Sequence, residues 1–227
     1  MENPWIKLPD SKPFIIELDK EFIEQFQLTA PSEYNLKTHL LPIPFIGSPS
    51  APVLLLNLNP GFHKEDEEYQ ITDKFQAVAR NCLTHNPNSY PFYFLDDTLE
   101  CPAGGPGYNW WARRTLSRLL KEFNTNLLSQ NIFCVEYFPY RSVRFCHLGT
   151  VLNSQHYGFN LVRQAIQREA QIVLMRAKKH WFEAVPDLET YQNLMIIKNP
   201  RNPTISERNL PDGGFQKIIR AIESRAQ

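Results

Sequence analysis

Val53, Leu54, Leu55 and Leu56 form an unbroken apolar run with Pro52 before it and Pro60 shortly after it. The run is too short for a helix of ordinary length. It also does not alternate with polar residues, as a strand with one wet face would. A run of this kind is the signature of a central strand, buried on both faces of a parallel sheet. Three further segments read as strands: Asn131 to Tyr137, Gln171 to Met175 and Asn193 to Ile197. Helical segments lie before and between them: Asp19 to Gln27, Asp73 to Cys82, Trp110 to Phe123 with a basic side, Phe159 to Glu169 and His180 to Ala184. Phe215 to Ser224 is a terminal helix introduced by Gly213 and Gly214. Strands alternating with helices predict an α/β fold, a three-layer α/β/α arrangement around a central, mainly parallel sheet.

A chain of 227 residues suits one domain spanning 1–227. The first 50 residues read as an N-terminal arm, with a proline-rich approach from Leu40 to Pro52. The stretch from His85 to Tyr108 is a long irregular insertion carrying Pro91, Cys101, Pro102, Gly104, Gly105, Pro106 and Gly107. Long loops of this kind on a compact scaffold are usually functional or mobile. The chain holds 18 prolines, and they cluster in such loops.

The formal net charge is zero, whereas strong nucleic-acid binders usually carry a basic excess. Local basic faces are still available in three clusters: Arg113, Arg114, Arg118 and Lys121; Arg176, Lys178 and Lys179; and Lys198, Arg201 and Arg208. No apolar run is long enough to span a membrane, and Met1 to Pro13 has no apolar signal core. A soluble, cytoplasmic monomer without membrane contact is expected. Cys82, Cys101, Cys134 and Cys146 show no CxxC spacing, so reduced structural thiols are expected rather than a metal or iron–sulfur centre. No cofactor is expected either, because no glycine-rich dinucleotide or phosphate loop follows a strand and no GxSxG elbow is present.

In open parallel sheets, ligands bind outside the carboxyl ends of the strands. The unusual polar residues of this chain fall at those ends. Asn57, Asn59, Pro60 and Gly61 follow the first strand. Glu136, Tyr137, Phe138, Pro139 and Tyr140 close the second. Lys198, Asn199, Pro200, Arg201, Asn202, Pro203 and Thr204 follow the fourth. Any one of these sets is ordinary turn chemistry. Three together, each after an apolar strand, point to a site.

These motifs resemble the uracil-DNA glycosylase superfamily. Leu58-Asn59-Pro60-Gly61-Phe62 is similar to the first active-site motif of its mismatch-specific and single-strand-selective branches. Asn199-Pro200-Arg201-Asn202-Pro203 is similar to the second motif, and Val135 to Pro139 to the middle strand that ends in the base-recognition residue. The resemblance covers roughly Val53 to the C-terminus and leaves the arm and the 85–108 insertion unmatched. It implies a glycosylase-like fold, DNA as partner (single-stranded or mismatched) and hydrolysis of the N-glycosidic bond of a damaged or deaminated base. Such enzymes flip the base into a pocket. By position, Asn59 matches the residue that orients the attacking water. Asn199 matches the residue that contacts the base at O2. Pro200 to Ile205 matches the loop that wedges into nucleic acid, with Lys198 beside it. Phe62, Tyr69 and Phe75 are candidates for the base-stacking aromatic, and Tyr137 adjoins the base-recognition position.

The chain departs from that pattern at Glu136, where the family carries Asn. Asn offers a donor and an acceptor to uracil, whereas an ionised Glu only accepts. Glu136 therefore predicts a base edge with two donors, such as N1–H and N2–H of guanine. The alternative reading is a module on the same fold that binds nucleic acid or a nucleotide without cleaving it.

Overall fold

The computed structural model describes residues 1–86, 88–99 and 105–226. Cys101, Pro102 and Gly104 of the insertion lie outside the described residues.

Five strands form one sheet: β1 (Phe45–Gly47), β2 (Val53–Asn57), β3 (Ile132–Glu136), β4 (Gln171–Leu174) and β5 (Leu194–Ile196), in the spatial order β1-β3-β2-β4-β5. The pairs β2–β3, β2–β4 and β4–β5 are parallel. Every residue of β2 and β3 is buried, as a doubly covered centre requires. The sheet is mixed rather than wholly parallel, because β1 runs antiparallel to β3 at its edge. This strand lies inside the proline-rich approach. Its three residues are too few to show a period, so the sequence pattern did not reveal it.

Eight α-helical segments accompany the sheet among the described residues: α1 (Glu17–Thr29), α2 (Asp66–Tyr69), α3 (Asp73–Leu83), α4 (Pro106–Tyr108), α5 (Thr125–Asn131), α6 (Gln155–Gln167), α7 (Lys178–Ala184) and α8 (Gly214–Ala226). The Thr72 hydroxyl caps α3 by accepting from Phe75 N, and Asn124 caps α5 by accepting from Leu127 N. Helix α6 packs on β3, and α8 packs on β2 and β4. One apolar cluster runs from Trp5 to Ile222, so the N-terminal arm supplies core residues as well as the edge strand.

The expected helix from Trp110 to Phe123 is broken. Asn109–Thr115 is π-helix, with Leu116 N donating to Trp111 O at 2.8 Å, and Leu119–Lys121 is a separate 3-10 turn. A π-turn takes one extra residue per turn, and such turns concentrate at functional sites. This one buries Trp111 while Trp110 and Arg114 reach a cavity wall. Helix α6 also begins four residues earlier than expected, at Gln155, where the Gln155 side chain accepts from Leu152 N.

Candidate functional site

The carboxyl ends of β2 and β3 open into a cavity of about 700 Å3. Its floor is built from the last residues of the two strands. Asn57 and Glu136 are register partners, so their side chains emerge side by side. The Asn57 amide donates from Nδ2 to Glu136 Oε1 at 3.0 Å. The carbonyl of Asn57 is fixed from behind by Trp181, whose Nε1 donates to it at 2.8 Å.

Glu136 is 5% exposed, and its second oxygen, Oε2, has no partner among the described residues. Burial pushes its carboxyl up to about 8, against the weaker pull of the Asn57 hydrogen bond and the Arg176 and Arg141 charges. Burial thus favours the carboxylic acid over the ionised form expected from sequence, and the acid donates one hydrogen bond as well as accepting.

Arg141 follows β3 and forms a second floor group. It is 4% exposed. Its Nη1 donates to Gly61 O at 2.9 Å and lies 3.6 Å from Asp66 Oδ2. Asp66 is itself held by His63 N and by Gln70 Nε2. The guanidinium is thus anchored and charge-matched on one side, while Nε and Nη2 on the other side have no partner among the described residues.

Asn59 lies on the wall, half-buried. Its Nδ2 donates to Pro60 O at 3.2 Å and to Ser142 Oγ at 3.1 Å. With the amide nitrogen held in this way, the Asn59 carbonyl oxygen is left for a ligand or water. Ser142 is brought there by short bridges to Leu36 and Gly61. Phe62, Phe145 and Trp110 add aromatic surface, and Lys37 Nζ sits 4.7 Å from the Phe62 ring centroid. Gly107 also lines the wall. A Cβ there would overlap the Phe94 ring, so only glycine allows this approach.

Two guanidinium groups lie over the Trp110 ring, Arg114 Cζ at 4.9 Å and Arg176 Cζ at 5.1 Å from its centroid. Both arginines also hold the loop after β5. Arg114 donates to Asn202 Oδ1 and Arg201 O, each at 3.2 Å, and Arg176 donates to Pro200 O at 3.2 Å. The turn of β4 into α7 passes through Ala177, whose φ of 59° is left-handed.

Of the residues expected at the site, Asn59, Glu136 and Phe62 line this cavity. Asn199 does not. It is exposed, and its Oδ1 accepts from Arg201 N and Asn202 N at 3.1 and 3.3 Å in a local turn. Pro200, Arg201 and Asn202 are exposed beside it, while Pro203 is buried. Ile205 is fully buried and donates its N–H to Thr115 O, so it packs in the core and has no surface with which to wedge into a strand. Lys198 is paired with Asp212 at 3.8 Å. Phe75 is also core, packed against Tyr93 and Phe94. Tyr137 stacks on His180 at 5.1 Å and packs against Trp181 and Phe159, away from the cavity. Tyr69 is half-buried and lies outside the lining.

Arg114 and Arg176 are the members of the basic clusters that reach the cavity, and Glu65 and Asp66 line it as well. Arg113 lies over Tyr108 and Lys178 over Phe182, at 5.8 and 5.3 Å from the ring centroids. Arg141, Ser142 and Trp110 line the cavity without any motif in the sequence to mark them. The one available signal was a charge, Arg141, directly after the apolar stretch Tyr137 to Tyr140.

Cys82, Cys134 and Cys146 are free thiols, and no cluster that could hold a metal is found among the described residues. No described helix is long and apolar enough to cross a membrane. Compared with protein-family models, with curated proteins and with solved structures, the chain finds no match.

Proposed function

We propose that the cavity receives a nucleobase turned out of a DNA strand, and that the chain is a DNA glycosylase acting on a damaged or deaminated base. The observation that carries this reading is the joint placement of Asn59 and Glu136 on one cavity at the carboxyl ends of β2 and β3. A volume of about 700 Å3 lies within the range of small-ligand sites and is ample for one nucleotide. In this reading Asn59 orients the attacking water through its carbonyl oxygen, with Ser142 fixing the amide. Glu136 takes the base edge, and an aromatic wall residue such as Phe62 takes a face. The bond breaks with positive charge building on the sugar and negative charge on the departing base, so preorganised donors at the base are required. Burial of the floor raises the value of each such donor.

A second reading is favoured by the position of Asn199. The residue that the family resemblance assigns to the leaving base lies outside the lining, with its oxygen committed to its own loop. A module that binds the flipped base without cleaving it needs no such donor.

The test is a panel of oligonucleotides, single-stranded and mismatched, each carrying one damaged or deaminated base, incubated with the protein and then cleaved with alkali. Strand scission dependent on the protein and abolished in Asn59→Ala supports the glycosylase. Binding to the panel without scission supports the module, and neither binding nor scission overturns both.

A further inference from the structure

Four buried polar atoms at the cavity floor lack partners among the described residues: Asn57 Oδ1, Glu136 Oε2, and Nε and Nη2 of Arg141. Buried polar atoms are almost always paired, so four on residues that share one floor mark a place that a ligand, or the ordered water it displaces, completes. Nε–H and Nη2–H of an arginine point the same way along one edge of the guanidinium. They form a fork for two acceptors placed side by side. Arg141 is held with that edge unused, because Nη1 is bound to Gly61 O and Asp66 balances the charge. Arg141 is also near enough to Glu136 to act on its carboxyl. A ligand must therefore present two adjacent acceptors to the fork and at least one N–H to the Asn57–Glu136 side.

Resting on the nucleobase reading above, we propose that the floor selects a 6-oxopurine, with N7 and O6 on the Arg141 fork and N1–H on the Asn57–Glu136 pair. Adenine, uracil and thymine fail on the fork. Adenine carries an amino donor where O6 must be, and cytosine meets the fork only by turning N3 and O2 to it, an edge without N7 that the 7-deaza analogue separates from a purine. Uracil and thymine carry O4, but beside it only C5–H or a methyl group. N1–H is met in either state of Glu136, because Asn57 Oδ1 accepts throughout. The 2-amino group of guanine adds a second donor, which Glu136 Oε2 accepts only when ionised, so a guanosine advantage over inosine belongs to pH above the raised carboxyl value. The same edge exists on a free nucleotide and on a base flipped from a strand, and the two are separated by experiment.

The test titrates the full chain, read by the fluorescence of Trp110 and Trp111 at the cavity, with the monophosphates of guanosine, inosine, adenosine and uridine. A parallel arm uses single-stranded oligonucleotides carrying one guanine or one hypoxanthine in a pyrimidine run. Guanosine and inosine monophosphates should bind at least roughly tenfold tighter than the other two, the discrimination typical of one bidentate pair. The 7-deaza analogue of guanosine monophosphate, which lacks N7, should lose about tenfold without any change to the protein. Arg141→Lys should erase the preference, and Glu136→Gln should keep inosine binding while losing the guanosine advantage that the wild type shows above the raised carboxyl value. Selective binding in either arm supports the inference, the oligonucleotide arm alone pointing to a flipped base. Equal binding of uridine monophosphate, undiminished binding of the 7-deaza analogue, or no purine binding in either arm overturns it. Uracil release without purine binding would overturn this inference and leave the glycosylase standing. Selective purine binding with no base released from any oligonucleotide would do the reverse.

Discussion

Asn57 and Glu136 are coupled twice, as register partners across β2 and β3 and through the 3.0 Å hydrogen bond from Asn57 Nδ2 to Glu136 Oε1. Two polar side chains therefore close the buried end of an otherwise apolar strand pair, and one of them is an acid whose burial favours the protonated form.

That acid makes stability depend on pH in a definite direction. The folded carboxyl titrates at about 8, against an ordinary value of 4.5. Between those values the folded chain holds a proton that the unfolded chain has lost, so this group's contribution to stability declines as pH rises through the window. Glu136→Gln keeps the shape and removes the charge. Its melting temperature should depend less on pH between 5 and 8. At pH 8 the variant should exceed the wild type by an amount on the order of a few kcal/mol. Paired thermal melts across that range decide the point. A wild type that gains stability relative to the variant as pH rises would contradict the raised carboxyl.

Asn59 and Ser142 separate contact with water from positioning. If Asn59 orients the nucleophile, Asn59→Ala should lower base release by about a hundredfold, the scale of a lost near-attack geometry. Its melting temperature should stay close to that of the wild type, since the side chain is only half-buried. Ser142→Ala removes one hydrogen bond to the Asn59 amide and should cost less, with the loss in kcat rather than in KM. Ser142→Thr, which keeps the hydroxyl, should restore much of it. Equal losses in Ser142→Ala and Ser142→Thr would point to packing instead.

The parts of the molecule legible in sequence were those with a strong period or an unbroken apolar run. Strands β2 to β5, and α1, α3 and α8, fall close to their expected bounds. Asn59 and Glu136 were legible because Glu136 ends an apolar strand and Asn59 follows one. Strand β1 was hidden by its length and by the surrounding prolines. The π-turn at Asn109–Thr115 was hidden because its residues also fit an ordinary helix, and only packing of the two adjacent tryptophans distinguishes them. Arg141 was hidden because its role comes from Gly61 and Asp66, which are remote in the chain. Ile205 misled because motif position says nothing about burial.

Trp110, with Arg114 and Arg176 over its ring, should govern how the cavity mouth meets a charged strand. Each guanidinium gains from the ring face, and both hold the loop from Pro200 to Asn202. Trp110→Ala should release both arginines and weaken oligonucleotide binding severalfold. Arg114→Gln should weaken binding and also reduce its salt dependence, because each phosphate neutralised contributes to the slope. Binding isotherms at several salt concentrations measure both. An unchanged salt slope in Arg114→Gln would show that this arginine serves the loop and not a phosphate.

Asn199 decides between chemistry and architecture. In the structure its oxygen closes a turn on Arg201 N and Asn202 N, and the same loop is gripped by Arg114 and Arg176. The loop is exposed at these residues, so losing the two hydrogen bonds should cost about 1 kcal/mol or less of stability. If the turn is all that Asn199 supplies, Asn199→Ala should raise KM or the Kd for oligonucleotide severalfold through a looser loop and leave kcat nearly unchanged. Asn199→Asp, which keeps an acceptor for the two N–H groups, should then behave as the wild type. If instead the loop swings in to donate to the departing base, Asn199→Ala should lower kcat by about a hundredfold or more. Asn199→Asp should fail equally, because a carboxylate has no proton to give. Single-turnover base release by the two variants, measured alongside their oligonucleotide affinity, distinguishes these outcomes. The present geometry predicts the first.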